Sequence, residues 1–184
     1  MKTIKNLTNT SVKRMDEPVS MRPADLDDIN TIGFLAQQIW PDTYGSILSK
    51  EQLAYMMQLF YSPASLRRQM VDDHHRFVIV EQGEEPIGFA SWAAVDAEPG
   101  VVRLHKIYFL PGQQGKGLGR SVVQYVFAEI RPGGAKVLRL NVNRYNKARQ
   151  FYERIGFAVT REEDVPIGKG YFMNDYVMEM AVPD

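Results

Sequence analysis

Residues 109–120 read FLPGQQGKGLGR, and their position between two patterned segments decides how the chain folds. The segment before them, Val101–Phe109 (VVRLHKIYF), has the length and β-branched content of a strand. The segment after them, Gly117 to Arg131, repeats apolar residues at helical spacing: Leu118, Val122, Val123, Val126, Phe127 and Ile130 share one face. In a strand–turn–helix of this kind the glycines let the backbone curl and turn successive N–H groups outward. The helix start adds the positive end of its dipole, and together they cradle a phosphate or pyrophosphate. An ordinary tight turn is the alternative reading of the same glycines. Local charge favours the cradle: from Pro99 to Ala128 there are four basic residues, Arg103, Lys106, Lys116 and Arg120, and no acidic one. The whole 184-residue chain is balanced, with 22 Lys+Arg against 22 Asp+Glu and a formal net charge of +0, so the excess is local.

The loop is neither of the two common nucleotide fingerprints. Gly112 and Gly117 have the spacing of a Walker A loop, but Leu118 stands where the lysine is needed. Gly115 and Gly117 begin a dinucleotide fingerprint that fails at Arg120. Balanced overall charge argues against a nucleic-acid partner. The absence of cysteine removes disulfides, thiol nucleophiles and cysteine-ligated metals. The histidines are His74, His75 and His105, too few and too poorly spaced for a metal site; the run Asp72-Asp73-His74-His75 reads as a solvated turn. No run approaches the roughly 18 apolar residues of a membrane helix, and the polar N-terminus has no signal-like core, so a cytoplasmic protein is expected.

Outward from the loop, residues 1–17 read as a polar, flexible tail and 18–184 as one domain. Pro18 to Arg22 suggests a first strand, and Asp25 a cap before a helix carrying Ile29, Ile32, Leu35, Ala36 and Ile39, which is expected to stop before Pro41. Ser49, with Gln52 in the capping-box position, opens a second helix, and Ser62-Pro63 a third. Strands follow at 76–81, 87–95 and 101–109, then the helix after the loop. Pro132-Gly133-Gly134 stops that helix. A strand at 136–142, a helix at 146–155 closed by Gly156, and two further strands complete the chain. Hairpin-connected strands feeding a crossover helix give an α/β (α+β) fold: a mixed, mostly antiparallel central sheet with helices on both faces.

The loop's own pattern is Gln114-x-x-Gly117-x-Gly119. About 25 residues later comes Asn143-x-x-Asn146-x-Ala148-x-x-Phe151-Tyr152-Glu153-x-x-Gly156-Phe157. Both segments, in this order and spacing, resemble the two signatures of the GCN5-related N-acetyltransferase family, over roughly residues 18–182. TYGSILSKEQLAYMM (43–57), LHKIYFLPGQQGKGLG (104–119) and MNDYVMEM (173–180) further resemble the bacterial spermidine/spermine-type N-acetyltransferases.

The resemblance implies acetyl-CoA as co-substrate, no metal, and an acetyl group transferred to a primary amine, with a polyamine as the specific expectation. It implies a sheet splayed at the coenzyme site. Pantetheine would pair with backbone near Ile107 and Phe109, and the pyrophosphate would meet the backbone of Gln114, Gly115, Lys116, Gly117, Leu118, Gly119 and Arg120. Tyr152 matches the family's general acid; helical spacing with Ala148 and Ile155 turns it toward the sheet. Asn146 caps its helix and matches the family's pantetheine-contacting asparagine. Where many members place a glutamate base, this chain has His105, on the face of Ile107 by strand alternation; a buried structural role is its alternative. Trp40, Tyr44 and Tyr55 are candidates for the acceptor pocket. A homodimer is compatible with this reading. Alternative functions are acetylation of a protein N-terminus, a lysine or an amino acid, or a coenzyme-A-binding module without turnover.

Overall fold

The computed structural model describes residues 17–183, so the expected tail lies outside the described residues except for Glu17. Seven strands form one sheet in the order β1-β2-β3-β4-β5-β7-β6. They are β1 (Val19–Pro23), β2 (Arg76–Gln82), β3 (Glu85–Ala94), β4 (Val101–Phe109), β5 (Val137–Asn143), β6 (Ala158–Gly168) and β7 (Tyr171–Ala181). β4 and β5 run parallel, joined by a crossover helix, and the other neighbours are antiparallel.

One face of the sheet is covered by α1 (Ile29–Tyr44), α2 (Lys50–Tyr61) and α3 (Pro63–Val71). There Ile32, Leu35, Leu66, Ile79 and Phe89 form a buried cluster. The other face carries α4 (Leu118–Ile130) and α5 (Ala148–Ile155), with Val122, Val126, Leu138, Leu140 and Met178 at the centre of the second cluster. Helices on both faces are what the apolar periodicities require, because each amphipathic helix must bury its stripe against one side of the sheet.

Two local expectations are corrected. α1 does not stop before Pro41 but runs through it to Tyr44. The proline removes the N–H that would have bonded the Gln37 carbonyl. Both Gln37 and Pro41 are on the solvent side, so that carbonyl meets water, and Gly45 N–H still closes the last turn on the Pro41 oxygen. The capping box at α2 is half formed: the Ser49 hydroxyl accepts from Gln52 N–H, while the Gln52 side chain donates to the Phe172 carbonyl of β7 at 3.1 Å.

Two irregularities in β4 position the site. Ser91 pairs with Lys106 and Trp92 with Leu104, so His105 is an extra residue, a β-bulge. The bulge exchanges the faces of the strand. Val102 and Leu104 before it, and Ile107 and Phe109 after it, all pack toward α4, whereas Tyr108 joins the α1–α3 cluster. Pairing with β5 ends at Leu104 and Leu140. Beyond that pair the strands separate.

Candidate functional site

The separated strands leave a backbone edge of β4 open. Leu110 N–H bonds to the Ile87 carbonyl, which fixes the side on which β4 meets β3. N–H and C=O groups alternate sides along a strand, so Lys106 and Tyr108 face β3, and Ile107 and Phe109 face the gap toward β5. The two residues expected to pair with an extended ligand are thus the ones whose backbone groups are free to do so.

At the end of this edge lies the glycine-rich loop. Gly112, Gly115 and Gly117 have φ of +82°, +79° and +79°, and space for a side chain is open at all three, so it is backbone conformation that demands glycine. Gly119 differs: a Cβ there would lie 2.6 Å from the Phe151 ring, so its absence lets α4 approach α5. No side chain caps α4. Its first intrahelical bond is Ser121 N–H to the Gly117 carbonyl, which leaves the N–H groups of Leu118, Gly119 and Arg120 without helical acceptors. Leu118 contributes only backbone here, since its side chain is buried in the core. Gln114, Gly115, Lys116 and Arg120 are exposed, and Lys116 donates to the Gln113 side chain at 2.8 Å. An open strand edge leading to an uncapped helix N-terminus with free space before it fits a pantetheine arm ending in a pyrophosphate.

Tyr152 is buried and edge-packed on Phe157, with ring centroids 5.7 Å apart. Ala148 and Ile155 belong to the same core cluster, which bears out its orientation toward the sheet. Burial, and then the nearby Tyr44 hydroxyl, raise its pKa, so the phenol keeps its proton at neutral pH. The Asn146 Oδ1 accepts from Ala148 N–H at 2.8 Å and so caps the first turn of α5. The Tyr44 hydroxyl, for its part, hydrogen-bonds the Tyr108 hydroxyl at 2.9 Å.

Behind the splay is a pocket of about 210 Å³ between the sheet and α1–α2. Trp40 and Tyr44 line it as expected, together with Tyr61, Tyr108, Arg103 and Asp175. The Trp40 and Tyr44 rings meet at a tilt with centroids 4.6 Å apart, and Trp40 donates Nε1–H to the Tyr61 hydroxyl at 3.2 Å. Tyr55 does not line this pocket. Its hydroxyl donates to the Ile167 carbonyl at 2.6 Å and its ring rests on Tyr171, so it fastens the β6–β7 hairpin to α2.

His105 also lines the pocket, but the bulge takes it off the face of Ile107. Its ring stacks on His75 at 4.0 Å. Although part of the residue is exposed, its neighbours desolvate the ring, and His75, Lys106 and Arg103 add positive charge; the pKa falls to about 2. These surroundings disfavour the protonated imidazole. His75 is likewise not in a solvated turn: its ring stacks between His105 and Phe77, and its pKa is lowered to about 4, first by burial and then by Lys106.

Asp175 has the opposite character. Its carboxyl is buried in the pocket wall, and desolvation raises its pKa to about 6. In sequence it is an acidic residue without acidic neighbours in MNDYVMEM (173–180); the pairing of Asn143 with Asp175 across β5–β7 brings it to the pocket.

Residues 46–179 match the model of the acetyltransferase (GNAT) domain. An uncharacterized N-acetyltransferase of Mycobacterium tuberculosis is 25% identical over 154 residues, 83% of this chain and 97% of that protein. The [ribosomal protein bS18]-alanine N-acetyltransferase of Haemophilus influenzae is 30% identical over 122 residues, 66% of this chain and 76% of that protein. The fold is similar to that of the PaiA N-acetyltransferase from Thermoplasma acidophilum, solved in complex with coenzyme A. The TM-score is 0.75 at 23% identity, covering 89% of this chain and 99% of that one.

Proposed function

The chain belongs to the GNAT acetyltransferase domain family, and from that premise we propose that it transfers the acetyl group of acetyl-CoA to a primary amine of a small molecule, within that class a polyamine. The observation that carries the reading is the separation of β4 from β5 beyond Leu104 and Leu140, which joins an open strand edge to an aromatic pocket. The coenzyme supplies an activated thioester. The backbone of Ile107 and Phe109 receives its pantetheine arm, and the N–H groups at the start of α4 receive its pyrophosphate. Tyr152 holds a proton for the departing thiolate.

The polyamine expectation is supported by the rings of Trp40, Tyr44, Tyr61 and Tyr108, whose faces attract alkylammonium groups, and by the Asp175 carboxylate among them. A second reading is an amino acid acceptor. Arg103 lines the same pocket with its Nε buried and unpartnered, a donor suited to a carboxylate on the acceptor. Initial rates with spermidine, a free amino acid and an N-terminal peptide at two ionic strengths separate these readings. Spermidine turnover whose KM rises with salt supports the polyamine, because salt screens the attraction. No spermidine turnover at either salt, with turnover of the amino acid, replaces it by the second reading.

A further inference from the structure

Two acceptor groups of residues in the pocket wall are short of donors: Asp175 has one long hydrogen bond and Asn141 Oδ1 has none. The Asp175 carboxylate, 6% exposed, makes no ion pair among the described residues. The hydrogen bond to its side chain is a long one, 3.5 Å from Asn141 Nδ2. The same Nδ2 donates to Glu163 at 3.0 Å. Two carboxylates on one side fix the orientation of the Asn141 amide, so the atom on its other side is Oδ1, which is buried without a partner. A buried carboxylate and a buried amide oxygen, both from residues that line a pocket walled by aromatic rings, suit a group with several N–H donors and a positive charge.

The geometry points to Asp175 and Asn141 as the seat of the acceptor's ammonium group, with Asp175 taking the proton that must leave before the nitrogen can attack. This inference rests on the pocket being the acceptor site. One N–H of the ammonium meets the carboxylate and another meets Asn141 Oδ1. In the transfer one N–H bond breaks, its electron pair stays on nitrogen, and an O–H bond forms on Asp175: ammonium and carboxylate become free amine and carboxylic acid. The acid returns its proton to solvent when the product leaves.

The groups that face Asp175 come from every strand and helix around it. Arg103, His105 and Lys106 are on β4, Arg144 follows β5, Glu163 is on β6 and Tyr44 is on α1. Burial and Glu163 disfavour the carboxylate, and the Asn141 hydrogen bond, Arg144 and Arg103 favour it. Burial prevails, which makes Asp175 a stronger base than an exposed aspartate.

The test is kcat/KM against pH for an amine the unmodified protein acetylates, with acetyl-CoA affinity measured separately by calorimetry. Asp175→Asn is expected to lower kcat/KM by roughly 10²-fold or more, the usual worth of a general base, to erase the acidic limb near pH 6, and to leave coenzyme affinity unchanged. Asp175→Glu should restore an acidic limb. Wild-type kcat/KM and an unmoved limb in Asp175→Asn would overturn the assignment. Should that variant not fold, Asn141→Ala decides: a several-fold higher amine KM supports the seat, and an unchanged KM overturns it. Absence of turnover with any amine in the unmodified protein would overturn the acceptor reading itself, and this assignment with it.

Discussion

Leu104 and Leu140 are the last residues paired between the two parallel strands β4 and β5, and His105, the next residue of β4, is the bulge. Loss of pairing on one edge and the extra residue on the other therefore coincide. A bulge bends its strand and increases the local twist, so the opening between β4 and β5 follows from the placement of one residue. The free edge at Ile107 and Phe109, the face of Tyr108 and the position of His105 all depend on it.

Gly117 occupies the left-handed region at the start of α4, with open space in front of it. Gly117→Asp places a carboxylate beside the free N–H groups and strains the backbone. Acetyl-CoA affinity should fall by at least a hundredfold while the chain remains folded. Titration calorimetry showing unchanged affinity would detach the coenzyme from this loop.

Tyr152→Phe keeps the ring that packs on Phe157 and removes the proton donor. Turnover should drop by roughly 10²–10⁴, the range for a general acid or base, with coenzyme affinity little changed. Undiminished turnover would leave Tyr152 a packing residue.

Asp175 is costly to the fold when ionised. Its pKa is raised by burial from 3.8 to about 6, so the folded state favours the protonated form relative to the unfolded chain. Stability from this group is fully present below pH 3.8 and is lost as pH rises through about 6. Asp175→Asn should therefore raise the melting temperature at pH 8 and lose that advantage at pH 3.5. Melting curves at the two values check the sign.

Tyr55→Phe removes the hydroxyl that holds the Ile167 carbonyl. It should cost about 0.5–1.5 kcal/mol of stability, the net worth of one such bond, and leave amine KM unchanged. A raised KM would return Tyr55 to the acceptor pocket.

The α4 apolar stripe, the loop before it and the helix closed by Gly156 were legible because each follows from local chemistry: helical spacing, glycine at positive φ, and a glycine cap. Ile107 and Phe109 are expected coenzyme contacts through the family resemblance alone; what the backbone parity of β4 adds is that their N–H and C=O groups face the gap. His105 was misplaced because strict alternation does not survive an inserted residue, and nothing local marks the bulge. Tyr55 was grouped with Trp40 and Tyr44 on residue type, whereas the pocket wall depends on how α2 meets the β6–β7 hairpin. Asp175, like Glu162, Glu163 and Asp164, is one of several carboxylates late in the chain, and no local pattern sets it apart. Its difference from them is tertiary: Glu162 and Asp164 pair with Arg144 at the surface, and Asp175 is turned inward by its register with Asn143.

The most direct measurement of the account is thiol release from acetyl-CoA in the presence of a panel of primary amines, with the acetylated product quantified in the same reactions. Amine-dependent thiol release, matched one for one by N-acetylated amine and lost in Tyr152→Phe, is the predicted result. Thiol release that is absent with every amine, or that proceeds at the same rate without one, would contradict it.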